Sequence, residues 1–215
     1  MAAKYTAVYT GREAFDERVM QVMQDVDRGE FVSGNYKEMA YDDEPLPIGY
    51  GQTISQPYMV ALMTDLLDIT PESVVLEVGT GSGYQSAILS KLVKQVYSVE
   101  RISELADSSA QRLKQLGYEN IEIRCVNGYF GWQEKAPFDA ITVTAAATHI
   151  PQELIDQLKP RGRMVIPVGL PYMPQELMLV IKDEQGKTRT ESVLEVAFVP
   201  LVTEGIDLNI KEKRS

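Results

Sequence analysis

The period of the apolar positions changes several times along the chain, and each change marks an element. In "REAFDERVMQVMQDV" the residues Phe15, Val19, Val22, Met23 and Val26 recur at helical spacing and a loop containing Gly29 follows, which predicts an amphipathic N-terminal helix. Val60, Leu62, Met63, Leu66 and Leu67 mark a second helix, started near Pro57 and ended before Thr70-Pro71. The period then shortens. "SVVLEVG" is a short apolar run of the buried-strand type, "YQSAILSKLV" reads as a helix and "QVYSVE" as the next strand, together one βαβ unit. Ser103 is placed to cap the helix "ELADSSAQRLKQL", which Gly117 ends, and the strands "IEIRCV" and "FDAITVT" follow. After a helix over "PQELIDQLK" come the strands "RMVIPVG", "ELMLVIK" and "SVLEVAFVPL". The turn "DEQGK" between the last two, with Gly186, predicts an antiparallel hairpin. The alternation predicts an α/β domain with a mostly parallel sheet and that hairpin at its C-terminal end. Within one domain spanning 1–215, residues 12–68 form an added helical segment, 72–201 the α/β core and 203–215 a polar tail.

Composition narrows the functions this fold can carry. The 215 residues are 44% apolar, enough for a full core, and the length suits one α/β domain better than two. A formal net charge of −10 argues against a surface built to grip nucleic acid. "MAAKYTAVYTGREAFDERVM" contains no apolar run long enough for a signal peptide, and no stretch is long enough to span a membrane, so a soluble, cytoplasmic protein is expected. One cysteine, Cys125, and one histidine, His149, leave no basis for a disulfide framework or for a cysteine- or histidine-rich metal site, and no metal is expected. Cys125 reads as a small buried hydrophobe, Trp132 as packing, and His149 as a loop or helix-start residue rather than a base.

Two stretches carry chemistry. "LPIGYGQTISQPYMVALM" puts Gly49, Gly51, Gln52, Thr53 and Ser55 in a loop before the second helix. Such residues bury little and offer the backbone alternatives to regular structure, so the segment is either an elaborate cap, through Ser55 or Gln56, or a binding edge. "VLEVGTGSGYQSA" runs a strand into Gly79, Thr80, Gly81, Ser82 and Gly83 before a helix starts, which lets backbone approach a ligand closely. Roughly twenty residues after the first of these glycines, Glu100 ends the next strand, where a carboxylate can accept both hydroxyls of a ribose. The spacing is Gly-x-Gly-x-Gly and not the dinucleotide Gly-x-Gly-x-x-Gly, which disfavours a nicotinamide cofactor. Glu77, just before the loop, suits a cationic ligand better than a pyrophosphate, and S-adenosylmethionine, with a sulfonium and an ammonium group, fits.

"LEVGTGSGY" with "VYSVER" resembles the first two motifs of class I methyltransferases. The resemblance narrows over "PLPIGYGQTISQP", "NGYFGW", "PFDAITVTAAATHIP" and "FVPL", which, with the glycine loop, are similar to the bacterial protein-L-isoaspartate O-methyltransferases over roughly residues 15–201. This resemblance implies a doubly wound, Rossmann-like sheet and S-adenosyl-L-methionine as cofactor. It implies that Ser55 lies beside the transferring methyl group, that Thr53, Ile54 and Gln56 line the substrate channel, and that Asn127 and Gly128 meet the adenine. Asn127 stands where the family pattern has Asp, so the adenine contact keeps a donor and an acceptor but loses a charge. The implied reaction methylates the free α-carboxylate of an L-isoaspartyl residue in a damaged protein or peptide. The ester then cyclises without the enzyme to a succinimide, whose hydrolysis regenerates some normal linkage. Isoaspartyl proteins are the implied partners, with neither nucleic acid nor membrane, and a monomer is favoured. The rival readings are a methyltransferase acting on RNA or a small molecule, and a module that binds the cofactor without turnover.

Overall fold

The computed structural model describes residues 8–171 and 173–201. The polar tail lies outside them. Nine strands and five α-helices follow in chain order among the described residues: α1 (Glu17–Asp25), β1 (Leu46–Gly49), β2 (Gln52–Ile54), α2 (Pro57–Leu66), β3 (Val74–Val78), α3 (Tyr84–Ser90), β4 (Gln95–Glu100), α4 (Ser103–Gln115), β5 (Ile121–Cys125), β6 (Phe138–Val143), α5 (Gln152–Asp156), β7 (Leu158–Val168), β8 (Gln175–Lys182) and β9 (Thr188–Val196). Seven of the strands form one sheet in the order β5-β4-β3-β6-β7-β8-β9. From β5 to β7 neighbours are parallel, while β8 is antiparallel to both β7 and β9. The chain winds outward from β3 through β4 to β5, then returns to β6 on the other side. That reversal puts a crevice beyond the carboxyl ends of β3 and β6, where ligands of open α/β sheets bind.

Both sheet faces are covered, and the strand period assigns each side chain to a face. Val75, Val96, Ala140 and Val165 pack with residues of α1, α2 and α3, whereas Leu76, Val78, Val99, Ile141 and Met164 pack with Trp132, Leu154 and Leu158 on the other side. Central β3 is buried along nearly its whole length, which is why its sequence reads as a continuous apolar run. No helix among the described residues is long and apolar enough to cross a membrane.

The structure departs from the sequence reading at several elements: the helix expected over residues 151–159 stops at Asp156, and β7 starts at Leu158, inside that expected helix. The segment expected as a loop before α2 is a hairpin, β1–β2, in which Gly49 pairs with Gln52 across Tyr50 and Gly51. Tyr50 and Gly51 both have positive φ, 54° and 68°, as a two-residue turn matched to strand twist requires. Ser103 does not cap α4. Ile102 holds the N-cap position, and the Ser103 hydroxyl donates to Glu104 instead. The helix after the glycine loop stops at Ser90, short of Lys91–Val93. The final strand begins earlier than expected and ends at Val196. Beyond it, the buried Gln175 amide bonds both the N–H and the carbonyl of Phe198, at 2.7 and 3.0 Å, and the chain crosses to Ala146, whose N–H and carbonyl pair with Val199 and Leu201.

Candidate active site

The glycine loop sits at the switch point and is pinned from several sides. Gly79, Gly81 and Gly83 all have positive φ, and at Gly79 a side chain is excluded outright because Thr144 Oγ1 occupies the space of its Cβ. That hydroxyl donates to the Gly79 carbonyl at 2.6 Å, tying the loop to the end of β6. From β4, Val99 accepts from Gly79 N–H and the Ser98 hydroxyl meets Thr80 Oγ1 at 2.6 Å. From α4, Arg112 donates to the Ser82 carbonyl at 2.8 Å, and Leu113 lies where a Gly83 side chain would go.

Glu100 is fixed by backbone amides. One carboxylate oxygen accepts from Gly81 N–H at 2.8 Å, the other from Arg101 and Ile102 N–H at 2.8 and 2.9 Å. These bonds stitch the end of β4 to the middle of the glycine loop, and the residue is only 7% exposed. Three of the roughly four acceptor sites of the carboxylate are thus taken, and the oxygen bonded to Gly81 keeps the one still open to a hydroxyl donor.

Glu77 is placed differently from the sequence reading. It does not line the cavity above the loop. It shares a sheet face with Val75 and is fully buried beneath the loop, with register neighbours Ser98 and Thr142. Hydroxyls of Ser86 and Ser98 donate to one of its oxygens; the other has no partner among the described residues. Burial drives its pKa from the ordinary 4.5 up to about 8, outweighing the two hydroxyl donors that favour the anion. Glu77 therefore holds a proton at neutral pH and offers no direct charge to a cationic ligand.

The linkage has a definite sign. Between pH 4.5 and about 8 the native state keeps a proton that the unfolded state has released, so this contribution to stability is complete below pH 4.5 and is lost as pH rises through 8. Glu77→Gln keeps the shape without the titration. Denaturant unfolding at pH 5 and pH 8 should therefore show the stability difference moving in favour of Gln by at least about 2 kcal/mol. A difference independent of pH would mean that Glu77 is ionised in the native protein throughout.

Above the loop, the β1–β2 hairpin brings the other chemical segment into place. Thr53, Ile54 and Ser55 share one cavity with Gly79, Thr80, Gly81 and Ser82, and Ile48 of β1 packs over Gly81 at 3.3 Å from where a Cβ would stand. The Ser55 hydroxyl has no protein partner among the described residues, while its carbonyl accepts from Arg28. Neither Ser55 nor Gln56 caps α2 through its side chain. Asp43 does so from a distance: one of its oxygens accepts from Tyr58 N–H at 2.8 Å and the other from the Gln56 amide at 3.0 Å. That bond turns Gln56 away from the cavity it was expected to line.

The remaining expected residues divide. Asn127 lines a second cavity with Tyr129, Phe130, Thr148, His149 and Leu201, and its side-chain oxygen already accepts from Tyr129 N–H at 3.1 Å. Gly128 is a packing position, since a Cβ there would meet Val78 at 2.5 Å. His149 lines this second cavity, bonded to the Tyr129 hydroxyl and to Thr148, and does not line the one with Ser55. Cys125 is exposed rather than buried. Trp132 is buried against Tyr97, as expected of packing.

Sequence reasoning missed Val60, Tyr84, Gln85, Thr144, Ala145 and Val199, which also line the first cavity. Thr144 and Ala145 follow the strand beside the switch point, so the run "TAAAT" was a usable signal once the strand order was known. The residues fit an adenosyl-type ligand: a glycine cradle with no room for side chains, a carboxylate preset by three amides at the end of the adjacent strand, and an amide side chain beyond it.

Residues 8–205 match the family model described as protein-L-isoaspartate(D-aspartate) O-methyltransferase. Protein-L-isoaspartate O-methyltransferase 2 of Syntrophobacter fumaroxidans is 61% identical over 93% of this chain and 81% of its own length. The protein of the same name from Nitrosococcus oceani is 58% identical over 93% of this chain and 90% of its own. A crystal structure described as that of a "putative protein-L-isoaspartate O-methyltransferase" from Plasmodium falciparum in complex with S-adenosyl-L-homocysteine superposes with a TM-score of 0.76 at 30% identity, covering 94% of this chain and 98% of that one. A family model spanning nearly the whole chain, and relatives this similar over most of both lengths, establish that the chain belongs to the protein-L-isoaspartate (D-aspartate) O-methyltransferase family.

Proposed function

We propose that this chain moves a methyl group from S-adenosyl-L-methionine to the free α-carboxylate of L-isoaspartyl residues in proteins and peptides. The observation that carries the reading is the single cavity in which the Thr53–Ser55 edge of the hairpin faces the glycine loop. When bound, the cofactor supplies an electrophilic methyl group on a sulfonium. Glu100 is preset to accept a ribose hydroxyl, the loop from Gly79 to Ser82 gives backbone close access to the ligand, and the Asn127 amide can meet the adenine edge. Thr53 and Ile54 flank the substrate backbone, and Ser55 donates its hydroxyl to the substrate carboxylate and holds it in line for attack.

No general base is required in this scheme. A carboxylate with an ordinary pKa near ~4 is already ionised at neutral pH, so positioning and exclusion of water provide most of the acceleration. A net charge of −10 suits a freely diffusing, cytoplasmic protein that visits many protein surfaces rather than nucleic acid. Labelled methyl donor with paired peptides, identical except for an isoaspartyl or a normal aspartyl linkage, tests the reading. Base-labile label should appear on the isoaspartyl peptide and stay at background on its partner. Equal labelling of both peptides, or of neither, would overturn it.

A further inference from the structure

We infer that Arg28 is a positioning residue for Ser55, fixing the backbone of the hairpin exit so that the serine hydroxyl points into the cavity; the inference rests on the role proposed for Ser55 above. Arg28 follows Asp27, whose side chain caps a short 3-10 turn over Arg28–Phe31, and it is only 2% exposed. Among the described residues its guanidinium meets three carbonyls and no carboxylate. Nη1 donates to Ala40 at 2.5 Å, and Nη2 donates to Glu44 at 3.0 Å and to Ser55 at 3.1 Å. Burial pulls its pKa down, partly offset by Asp42, Asp43 and Glu44, but a guanidinium stays charged at physiological pH.

Burying a cation without a direct counter-ion is unfavourable, and an apolar side chain would fill a purely structural position at less cost. What the guanidinium adds is a rigid planar fork whose two terminal nitrogens hold separate carbonyls at fixed angles. Here the carbonyls come from three segments: the end of the turn over Gly34–Met39, the approach to β1, and the exit from β2. The guanidinium carbon also lies 6.0 Å from the ring centre of Tyr84, the first residue of α3 after the glycine loop. One side chain thus references the Ser55 carbonyl to the element that begins at the cofactor cradle. Asp43 holds the next residues through Gln56 and Tyr58, so the backbone is restrained on both sides of the free hydroxyl.

The experiment is a double-mutant cycle on the full chain, with Arg28→Lys, Ser55→Ala and the pair, read as kcat/KM on an isoaspartyl peptide and as Kd for S-adenosyl-L-homocysteine. Lysine keeps the charge but presents a point donor in place of the fork. Arg28→Lys should lower kcat/KM by about tenfold or more with the Kd changed less than about twofold, and in the Ser55→Ala background it should cost less than about twofold further. Leu154→Ala, a cavity on the opposite sheet face, serves as a destabilised control and should keep kcat/KM in its folded fraction. If Ser55→Ala alone leaves kcat/KM intact, the reading of Ser55 fails and Arg28 has nothing to position. If Ser55→Ala is impaired but the two losses multiply, or if Arg28→Lys weakens ligand binding in parallel with turnover, Arg28 does not act through Ser55. Failure of both Arg28→Lys and Arg28→Gln to fold would make Arg28 a folding determinant and overturn the assignment.

Discussion

Ser55→Ala should lower kcat/KM on an isoaspartyl peptide by roughly ten- to a thousandfold, the loss expected when one positioning hydrogen bond near the transition state is removed. The protein should melt almost where the wild type does. That second expectation follows from the structure, because the first amides of α2 are capped by Asp43 and not by Ser55, whose hydroxyl is uncommitted among the described residues. A substitution that removes no internal bond at a half-buried site should change stability by less than about 0.5 kcal/mol. The rate at saturating cofactor should be flat from about pH 6 until Glu77 begins to ionise near 8, since the nucleophile is already a carboxylate. A normal kcat/KM combined with a large drop in melting temperature would reduce Ser55 to a structural residue. A bell-shaped profile centred between pH 6 and pH 8 would mean that a base has been missed; His149 lines the second cavity, bonded to Tyr129 and Thr148.

The α/β core was legible in the sequence because burial on both faces leaves uninterrupted apolar runs such as "SVVLEV", and because glycines at Gly79, Gly81 and Gly83 follow one of them directly. The hairpin over Leu46–Ile54 was not legible. Its strands are only four and three residues long, one of them containing Pro47, and its turn relies on Tyr50 adopting a conformation that few side chains favour. The extent of the last strand was missed for another reason: "VAFVPL" is an apolar run that continues past the strand, and what ends the strand at Val196 is a tertiary contact, the Gln175 amide, which no local pattern encodes.

The site shows the same division between local and long-range information. The residues that touch one cavity, Thr53, Ser55 and Gly79 to Ser82, were readable because composition is odd where backbone must approach a ligand. The residues that hold them were not. Arg28, Asp43 and Arg112 each reach a carbonyl or amide in an element distant in sequence, and in a chain with 21 basic and 31 acidic residues one charge has no local mark. Glu77 was located correctly along the chain but misread in depth. The alternation of β3 sends it to the helix-covered face, under the loop and not into the cavity, so burial and not a ligand sets its charge.

Glu100→Gln should weaken binding of S-adenosyl-L-homocysteine by about 1.5–3 kcal/mol, roughly ten- to a hundredfold in Kd, while leaving the protein folded. The physical reason lies in the donors that surround the carboxylate. All three protein bonds to it come from N–H groups: Gly81 to one oxygen, Arg101 and Ile102 to the other. Whichever way the glutamine amide is placed, its NH2 faces a donor. If it points at Gly81, the loop loses its tie to β4; if it points at Arg101 and Ile102, the start of α4 does. In the first orientation the acceptor left open to a ribose hydroxyl is gone, and in either the negative charge that strengthens such a bond is lost. Glu100→Asp provides the complementary test, because it keeps the charge but shortens the reach, so it should bind better than Gln only if charge outweighs geometry. Calorimetric titration of each variant, after a melt confirms folding, reads the order directly. An unchanged Kd in Glu100→Gln would mean that the ribose does not sit at the end of β4. It would also mean that the carboxylate serves only to brace the loop.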